Sequence, residues 1–544
     1  MDLPEANIFD WITRNGGVLS SKGDGLDGKK VGVIGGGQTG LAMASLLSCS
    51  GAEVMVWEAD DNLQGRAKTH VFPDGNKAPM GMMRWGRGES IFSHLVEELG
   101  FVMKEGFPDP GVVPTLVHYD SETVLWPTEQ AAPLGFEKVQ ADFLNFLSNG
   151  WCGLTAWSAI NESLRSGHSQ VAVNAIQGWI NVFDGVTFGE AIRTIFDGIW
   201  GEEEFNKFDT LGIGSGGFGV INQKSVLAVM RLIVNGYEDH QCSLGKHEGG
   251  VLRNAFPDEF IDALEKHATG CDVDIRKSTP VVSVKEQDEQ YLVATSEGST
   301  FIVDIVVCTT MLRSMIRIEG LPELLGSVYE KEQDLPADMR SGKLFAVSNI
   351  TGVSEYDNED FPKMLLGEVN HQSVQMYVQD GIESDGARTC TLLLWYGWQE
   401  SYDYLASLSD DEILQRCLEI AKTITKNTKY ERVWQKIFSN VTYHEALRWQ
   451  GHKWAGSAFS MPDPEDNFKL RQALFSWGSG GKICKNDVFA AMADLGGGGG
   501  WNEQGYELLA VVYSAILKKH GRLFCEQNAP CNLLSYNTLQ FKGG

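Results

Sequence analysis

Cysteine is scarce in this chain. Its ten cysteines in 544 residues include no C-x-x-C pair and no set with zinc-ligand spacing. That density excludes a disulfide scaffold, so reduced thiols in a reducing compartment are expected. Long hydrophobic runs are missing too: no charge-free stretch of about 18 apolar residues occurs, so no membrane-spanning helix is expected. The opening residues, MDLPEANIFDWITRNGG, are acidic and lack the apolar segment of a signal peptide; the expected location is the cytoplasm. Positive charge is in short supply. Lys and Arg number 45 against 72 Asp and Glu, a formal net charge of −27. A chain of that sign repels phosphate backbones and anionic lipid, so neither nucleic acid nor a membrane is expected as a partner. There is no internal repeat and no long linker. The remaining composition, 43% hydrophobic and 22% charged, is that of a globular protein, and the length suits about three domains.

The strongest local signal begins at Lys29. Val31–Ile34 is a short β-branched run, Gly35–Gly40 a turn, Leu41–Ser48 a small-residue apolar segment suited to a buried helix, and Glu53–Glu58 a second strand. This is a βαβ unit with both strands buried, as a parallel sheet requires. Glycines at 35, 37 and 40 have the spacing of a dinucleotide fingerprint. Gly35 permits the tight turn, Gly37 lets the backbone approach a pyrophosphate, and Gly40 lets helix and strand pack closely. The helix N-terminus offers free N–H groups to the diphosphate, and Glu58 is placed to accept hydrogen bonds from ribose hydroxyls.

Further on, residues 131–239 are rich in Trp, Phe, Ala and Leu without strand alternation and are expected to be mostly helical. Residues 276–310 return to short strands, with Glu297-Gly298 as a hairpin turn. Apolar strands are expected at 343–349 and 390–398, a helix at 411–427, and a last helix at 503–519 after the glycines 496–500.

Past Glu58, the segment Asp61–Thr69 carries Gly65 and Arg66 and resembles the second signature of the FAD-dependent amine oxidase family, in which an arginine neutralises phosphate near the flavin. Gln64 stands where that signature usually has a first glycine. MGMMRW (80–85), FPDPGVV (107–113), QGWINVF (177–183), LGIGSGGF (211–218), VNGY (234–237), SGKLF (341–345) and a Gly-Gly-Trp-x-Glu segment (499–503) are similar, in the same order, to the tryptophan 2-monooxygenase-like L-amino acid oxidases and monooxygenases of that family. The resemblance runs from about residue 7 to about residue 520. It implies an α/β plus α+β architecture: a Rossmann-type, GR2-like FAD-binding domain assembled from 25–90, 240–310 and 470–525, a mixed-sheet substrate domain from 91–130 and 311–469, and a helical subdomain at 131–239.

It also implies site residues. Arg84 lies in an apolar, Met-rich stretch, where an unpaired charge is costly unless a carboxylate meets it; the family's matching arginine holds the substrate α-carboxylate. Met83 and Arg84 are expected beside the cofactor. Lys343 opens an apolar strand, and the family's matching lysine hydrogen-bonds a water near flavin N5. Tyr396 is expected in the catalytic group. Trp398, Trp449, Phe459 and Trp501 are expected around the substrate, with Trp501 also flanking the flavin. Glu503 begins the helix whose N–H groups point at the flavin, and Val281 matches the position whose backbone grips adenine. No cysteine lies in a segment expected to face the isoalloxazine, so FAD is expected to be non-covalent. No metal is expected.

These residues imply FAD-dependent oxidation of an L-amino acid at the Cα–N bond by O2, with an aromatic substrate converted to its amide, CO2 and water. Three alternatives stay open: an oxidase giving keto acid, ammonia and hydrogen peroxide, on a basic amino acid such as lysine or arginine; a monoamine or polyamine oxidase; and a non-catalytic FAD-holding scaffold, against which Lys343 argues. A homodimer also stays open.

Overall fold

The computed structural model describes residues 17–19, 23–86, 90–165, 169–211, 221–233, 241–326, 335, 338–370, 372–384, 386–467, 487–492 and 502–523. Its organising layer is a five-stranded, all-parallel sheet in the order Asp274–Arg276, Glu53–Trp57, Lys30–Ile34, Ile305–Cys308, Val488–Ala490. Val31, Val33, Ile34, Val54, Val56, Val306 and Val307 are all buried, because helices or loops cover both faces of a parallel sheet. Helix Gln38–Cys49 is buried along most of its length, from Gly40 to Leu47. It packs against helices Pro257–Gly270 and Asn502–His520. The last contact is fastened by Ser50 Oγ to Tyr513 Oη at 2.7 Å and by Tyr506 Oη donating to Gln38 Oε1 at 3.2 Å.

An antiparallel meander, Val281–Gln287, Gln290–Thr295 and Thr300–Val303, flanks this sheet. Its second turn includes Gly298 at φ 83°, a left-handed conformation that glycine adopts without strain. Among the described residues, six helices between Glu137 and Leu232 close around their own aromatic core, with Trp179, Phe143 and Phe188 fully buried. Among the described residues no helix is long and apolar enough to cross a membrane.

The third body is a seven-stranded mixed sheet in the order Val441–Arg448, Ser341–Asn349, Ala387–Trp398, Gln372–Ser384, Met364–Val369, Thr115–Tyr119, Glu122–Trp126. Helices Asp410–Thr425 and Glu431–Ser439 cover one face, where they meet Leu344, Ala346, Leu392, Leu394 and Trp395. Phe345, Val347 and Leu393 pack on the other face with Met80 and Met83. Successive residues of a strand point to opposite faces, so Lys343 shares the face of Phe345. A register shift between Leu344 and Phe345 leaves Leu394 as an extra residue on strand Ala387–Trp398. This bulge turns Leu394 and Trp395 to the helix-covered face and aims Tyr396 at the opposite one.

Candidate active site

The end of strand Lys30–Ile34 opens into a cavity of about 550 Å³ that runs from the parallel sheet to the seven-stranded sheet. Gly35, Gly37, Gly40, Glu58, Gly65, Arg66, Met83, Arg84, Val281, Lys343, Tyr396, Trp449 and Phe459 all line it. Trp398 does not; it stands one ring behind, 5.2 Å from Tyr396 and 5.3 Å from Phe459 between centroids, edge-on to both. Trp501, the glycines 496–500 and the segments 212–218 and 234–237 lie outside the described residues, and Glu503 is described only as backbone in helix Asn502–His520.

Each glycine has a distinct geometry. Gly35 has φ 103°, which an L side chain rarely adopts. A Cβ on Gly40 would sit 1.9 Å from the Gly35 carbonyl oxygen, whereas a Cβ on Gly37 would meet no protein atom within 4 Å. The turn is therefore closed against its own sheet at Gly40 and open to the cavity at Gly37. Glu58, 9% exposed, accepts from Gly36 N–H at 2.7 Å and Asp60 N–H at 2.8 Å. Burial pushes its carboxyl above the ordinary range, against the lowering effect of those two N–H donors. Its backbone carbonyl accepts from Thr279 N–H at 2.7 Å, which docks the segment leading to Val281 beside it.

At the far end, two cationic side chains share one buried space. Arg84 is 5% exposed and Lys343 is 3% exposed. Arg84 Nη1 lies 3.7 Å from Asp109 Oδ1, and its Nε and Nη1 make no hydrogen bond. Asp109 Oδ2 accepts from Gln241 N–H at 2.9 Å. Lys343 Nζ donates to Pro79 O at 3.1 Å and to Gly81 O, so it clips the turn that carries Met83 and Arg84. Burial, and then the adjacent Arg84 charge, lower the Lys343 pKa well below its ordinary value. Tyr396 lies between them, its ring 5.0 Å from Lys343 Nζ and 5.9 Å from the Arg84 guanidinium carbon. Burial raises the Tyr396 phenol. Met83 accepts a hydrogen bond on Sδ from Tyr377 Oη at 3.3 Å.

Several residues at or next to the site escaped the sequence reading. Thr309 follows strand Ile305–Cys308, and its Oγ1 donates to Gly35 O at 2.9 Å; only the strand order puts it there. His452 lines the cavity next to Trp449, with ring centroids 5.4 Å apart. Its Nδ1 accepts from Ala455 N–H at 3.2 Å. Burial and then the Lys68 charge lower its pKa, against the smaller raising effect of Asp60. His452 sits inside the stretch that supplies Trp449 and Phe459, but a lone histidine there carries no spacing signal. Asp109 belongs to FPDPGVV, whose sequence marks the resemblance without revealing that its carboxylate faces Arg84. Among the described residues no group of His, Cys, Asp and Glu could hold a metal.

The profile of the flavin containing amine oxidoreductases matches residues 39–476. The chain belongs to that family. Among curated relatives of this flavin amine oxidoreductase, tryptophan 2-monooxygenase of Pantoea agglomerans pv. gypsophilae is 26% identical over 535 residues, 91% of this chain and 90% of that protein. The enzyme of the same name from Rhizobium radiobacter is 25% identical over 92% of this chain and 67% of its own length. The one from Pseudomonas savastanoi is 30% identical over 56% of this chain and 57% of its own. Cyclohexylamine oxidase from Brevibacterium oxydans IH-35A shares the fold, with a TM-score of 0.61 at 17% identity over 90% of this chain and 99% of that structure. Wild-type putrescine oxidase bound to putrescine gives a TM-score of 0.59 at 16% identity, covering 90% of this chain and 98% of that structure.

The cofactor is FAD, and the residues present fit it. Gly37, open on its cavity side, the buried Glu58 and Arg66 line the same cavity as Arg84 and Lys343.

Proposed function

We propose that this flavoenzyme oxidises the Cα–N bond of an aromatic L-amino acid, with Arg84 holding the substrate carboxylate. The observation that carries the reading is the Arg84 fork: buried in the cavity wall, with Nε and Nη1 making no hydrogen bond. A guanidinium is always charged and its fork matches a carboxylate. A bare amine leaves Nε and Nη1 without a hydrogen-bond acceptor, while an α-carboxylate supplies one in addition to the Asp109 charge.

When bound, FAD would supply the hydride acceptor for the substrate Cα–H and the route for its electrons to O2. The chain supplies the rest. Arg84 orients the carboxylate. Lys343, clipped to Pro79 O and Gly81 O, sits beside Arg84, where burial and then that charge lower its proton affinity. Tyr396, Trp449 and Phe459 form an apolar wall that excludes water and suits a flat aromatic side chain. The relatives named tryptophan 2-monooxygenase support the same substrate class. Retention of the imino acid together with the hydrogen peroxide formed from O2 lets that peroxide decarboxylate it to amide, CO2 and water; if the imino acid escapes, its hydrolysis gives keto acid and ammonia and the peroxide is released unused.

The test is oxygen uptake on a panel of L-amino acids and their decarboxylated amines, with product mass. Aromatic L-amino acids should be consumed and yield amide, and tryptamine should be a poor substrate. Equal turnover of tryptamine, or of putrescine, would overturn the carboxylate reading. Denaturation should release intact FAD, as non-covalent binding requires.

A further inference from the structure

Helix Gln38–Cys49 presents the dinucleotide turn at its N-terminus, and its C-terminal residue lies far from that turn, at the surface. There the Cys49 Sγ lies 2.8 Å from the Cys271 Sγ, closer than two unbonded sulphurs normally pack. Cys49 is exposed, and Cys271 is half-buried just past the end of helix Pro257–Gly270. The backbones are already docked: Ser48 Oγ donates to Cys271 O. The His267 Nδ1 is 4.0 Å from the Cys271 Sγ, one helical turn back. The other described free cysteines are either buried or, like Cys152, in a different region of the fold.

We propose that Cys49 and Cys271 form a dithiol that hydrogen peroxide converts into a reversible disulfide, stapling the dinucleotide helix to helix Pro257–Gly270. The exposed Cys49 reacts first: its thiolate attacks the peroxide O–O bond, gaining one oxygen as sulfenic acid and releasing hydroxide, which leaves as water. Cys271 then attacks that sulphur, the S–S bond forms, the S–O bond breaks, and a second water leaves with the Cys271 proton. Two thiols and one peroxide give one disulfide and two waters; sulphur is oxidised and peroxide oxygen reduced. Burial, and then the Cys49 sulphur, raise the Cys271 thiol pKa, so Cys271 needs a proton acceptor to act as the resolving thiol. The nearby His267 Nδ1 is placed to take that proton; burial lowers the His267 pKa, against the raising effect of Glu98. The bridge would close a loop between positions 222 residues apart in sequence, and a cross-link of long span restricts the unfolded chain most.

The test uses the FAD-loaded full chain, treated with a small excess of hydrogen peroxide, alkylated and mapped without reductant. The expected result is a cross-linked peptide pair containing Cys49 and Cys271, split by dithiothreitol and absent from Cys49→Ser. FAD release on heating should move to higher temperature in oxidised wild type but not in oxidised Cys49→Ser. Recovery of the two cysteines on separate peptides, as free thiols or as sulfinic acids, would overturn the dithiol. A cross-link that leaves the FAD-release temperature unmoved would overturn the staple.

Discussion

Lys343 and Arg84 share one buried face, and of the two only Lys343 can give up its proton. Its side chain is held by two carbonyls, and burial plus Arg84 depress its pKa. A folded-state pKa below the unfolded value means that the unfolded chain binds more protons in the window between them. Stability contributed at this position therefore rises as pH rises through that window, up to the ordinary value of 10.5. Urea unfolding of wild type and Lys343→Met at several pH values should show wild type gaining on the variant as pH increases. On the proposed reading of the site, the same substitution removes a polar group from the cavity wall beside Arg84 and Tyr396 while keeping its length. The rate of anaerobic flavin reduction in stopped flow should fall by about 10²–10³, with substrate Kd little changed and FAD retained; the opposite pattern would make Lys343 a structural clip only. For Arg84→Ala the loss should fall on binding: kcat/KM for the amino acid drops by an equivalent of about 2–5 kcal/mol, because the substrate carboxylate then enters a buried site that still holds the Asp109 charge but has lost the cation between them. An unchanged KM would refute the carboxylate assignment.

At the level of elements, a strand, a turn and a helix do different work within residues 30–49. Gly40 is packed against its own turn, whereas Gly37 faces the open cavity. Gly40→Ala drives a methyl to 1.9 Å from Gly35 O, so helix and strand must separate; overpacking of this kind costs about 1–3 kcal/mol. The expected result is a lower melting temperature together with lost FAD. Gly37→Ala places its methyl in open space, so the apoprotein should melt as wild type does while FAD affinity falls. Thermal melts of apoprotein and a flavin-binding titration separate the two. Equal melting losses would mean that Gly37 also serves packing. The bulge at Leu394 is the corresponding device in the seven-stranded sheet. By simple alternation Tyr396 would share the face of Leu392 and Leu394; the extra residue moves it next to Lys343.

For the whole molecule, the formal charge of −27 acts at a distance. A zwitterionic aromatic amino acid has no net charge to steer, whereas lysine or arginine does. Raising ionic strength from about 0.01 M to about 0.15 M shortens the screening length from about 30 Å to about 8 Å. kcat/KM for aromatic amino acids should stay level across that range. Any turnover of basic amino acids should fall. A steep salt dependence for the aromatic substrates would mean that local charge at the cavity mouth, rather than the net field, controls entry.

The parts legible in the sequence were those whose physics is local. The three glycines, Glu58 and the buried strands sit within about 30 residues, and each role is met by neighbours close in the chain. The helices at 137–232 and the meander at 281–303 were likewise readable from composition and turn residues. Arg84 stood out because a charge in an apolar stretch demands a partner, yet its facing carboxylate, Asp109, could not be named: 24 residues of chain lie between them, and no periodicity encodes the contact. Only the tertiary structure decided the order of the parallel strands, which brings Thr309 to Gly35, the bulge that re-aims Tyr396, the place of His452 in the cavity wall, and the pairing of Cys49 with a cysteine 222 positions away. The physical reason is common to all four. Each depends on which surfaces meet once the sheets are packed, and packing over long separations is set by the summed burial of many residues rather than by any short pattern.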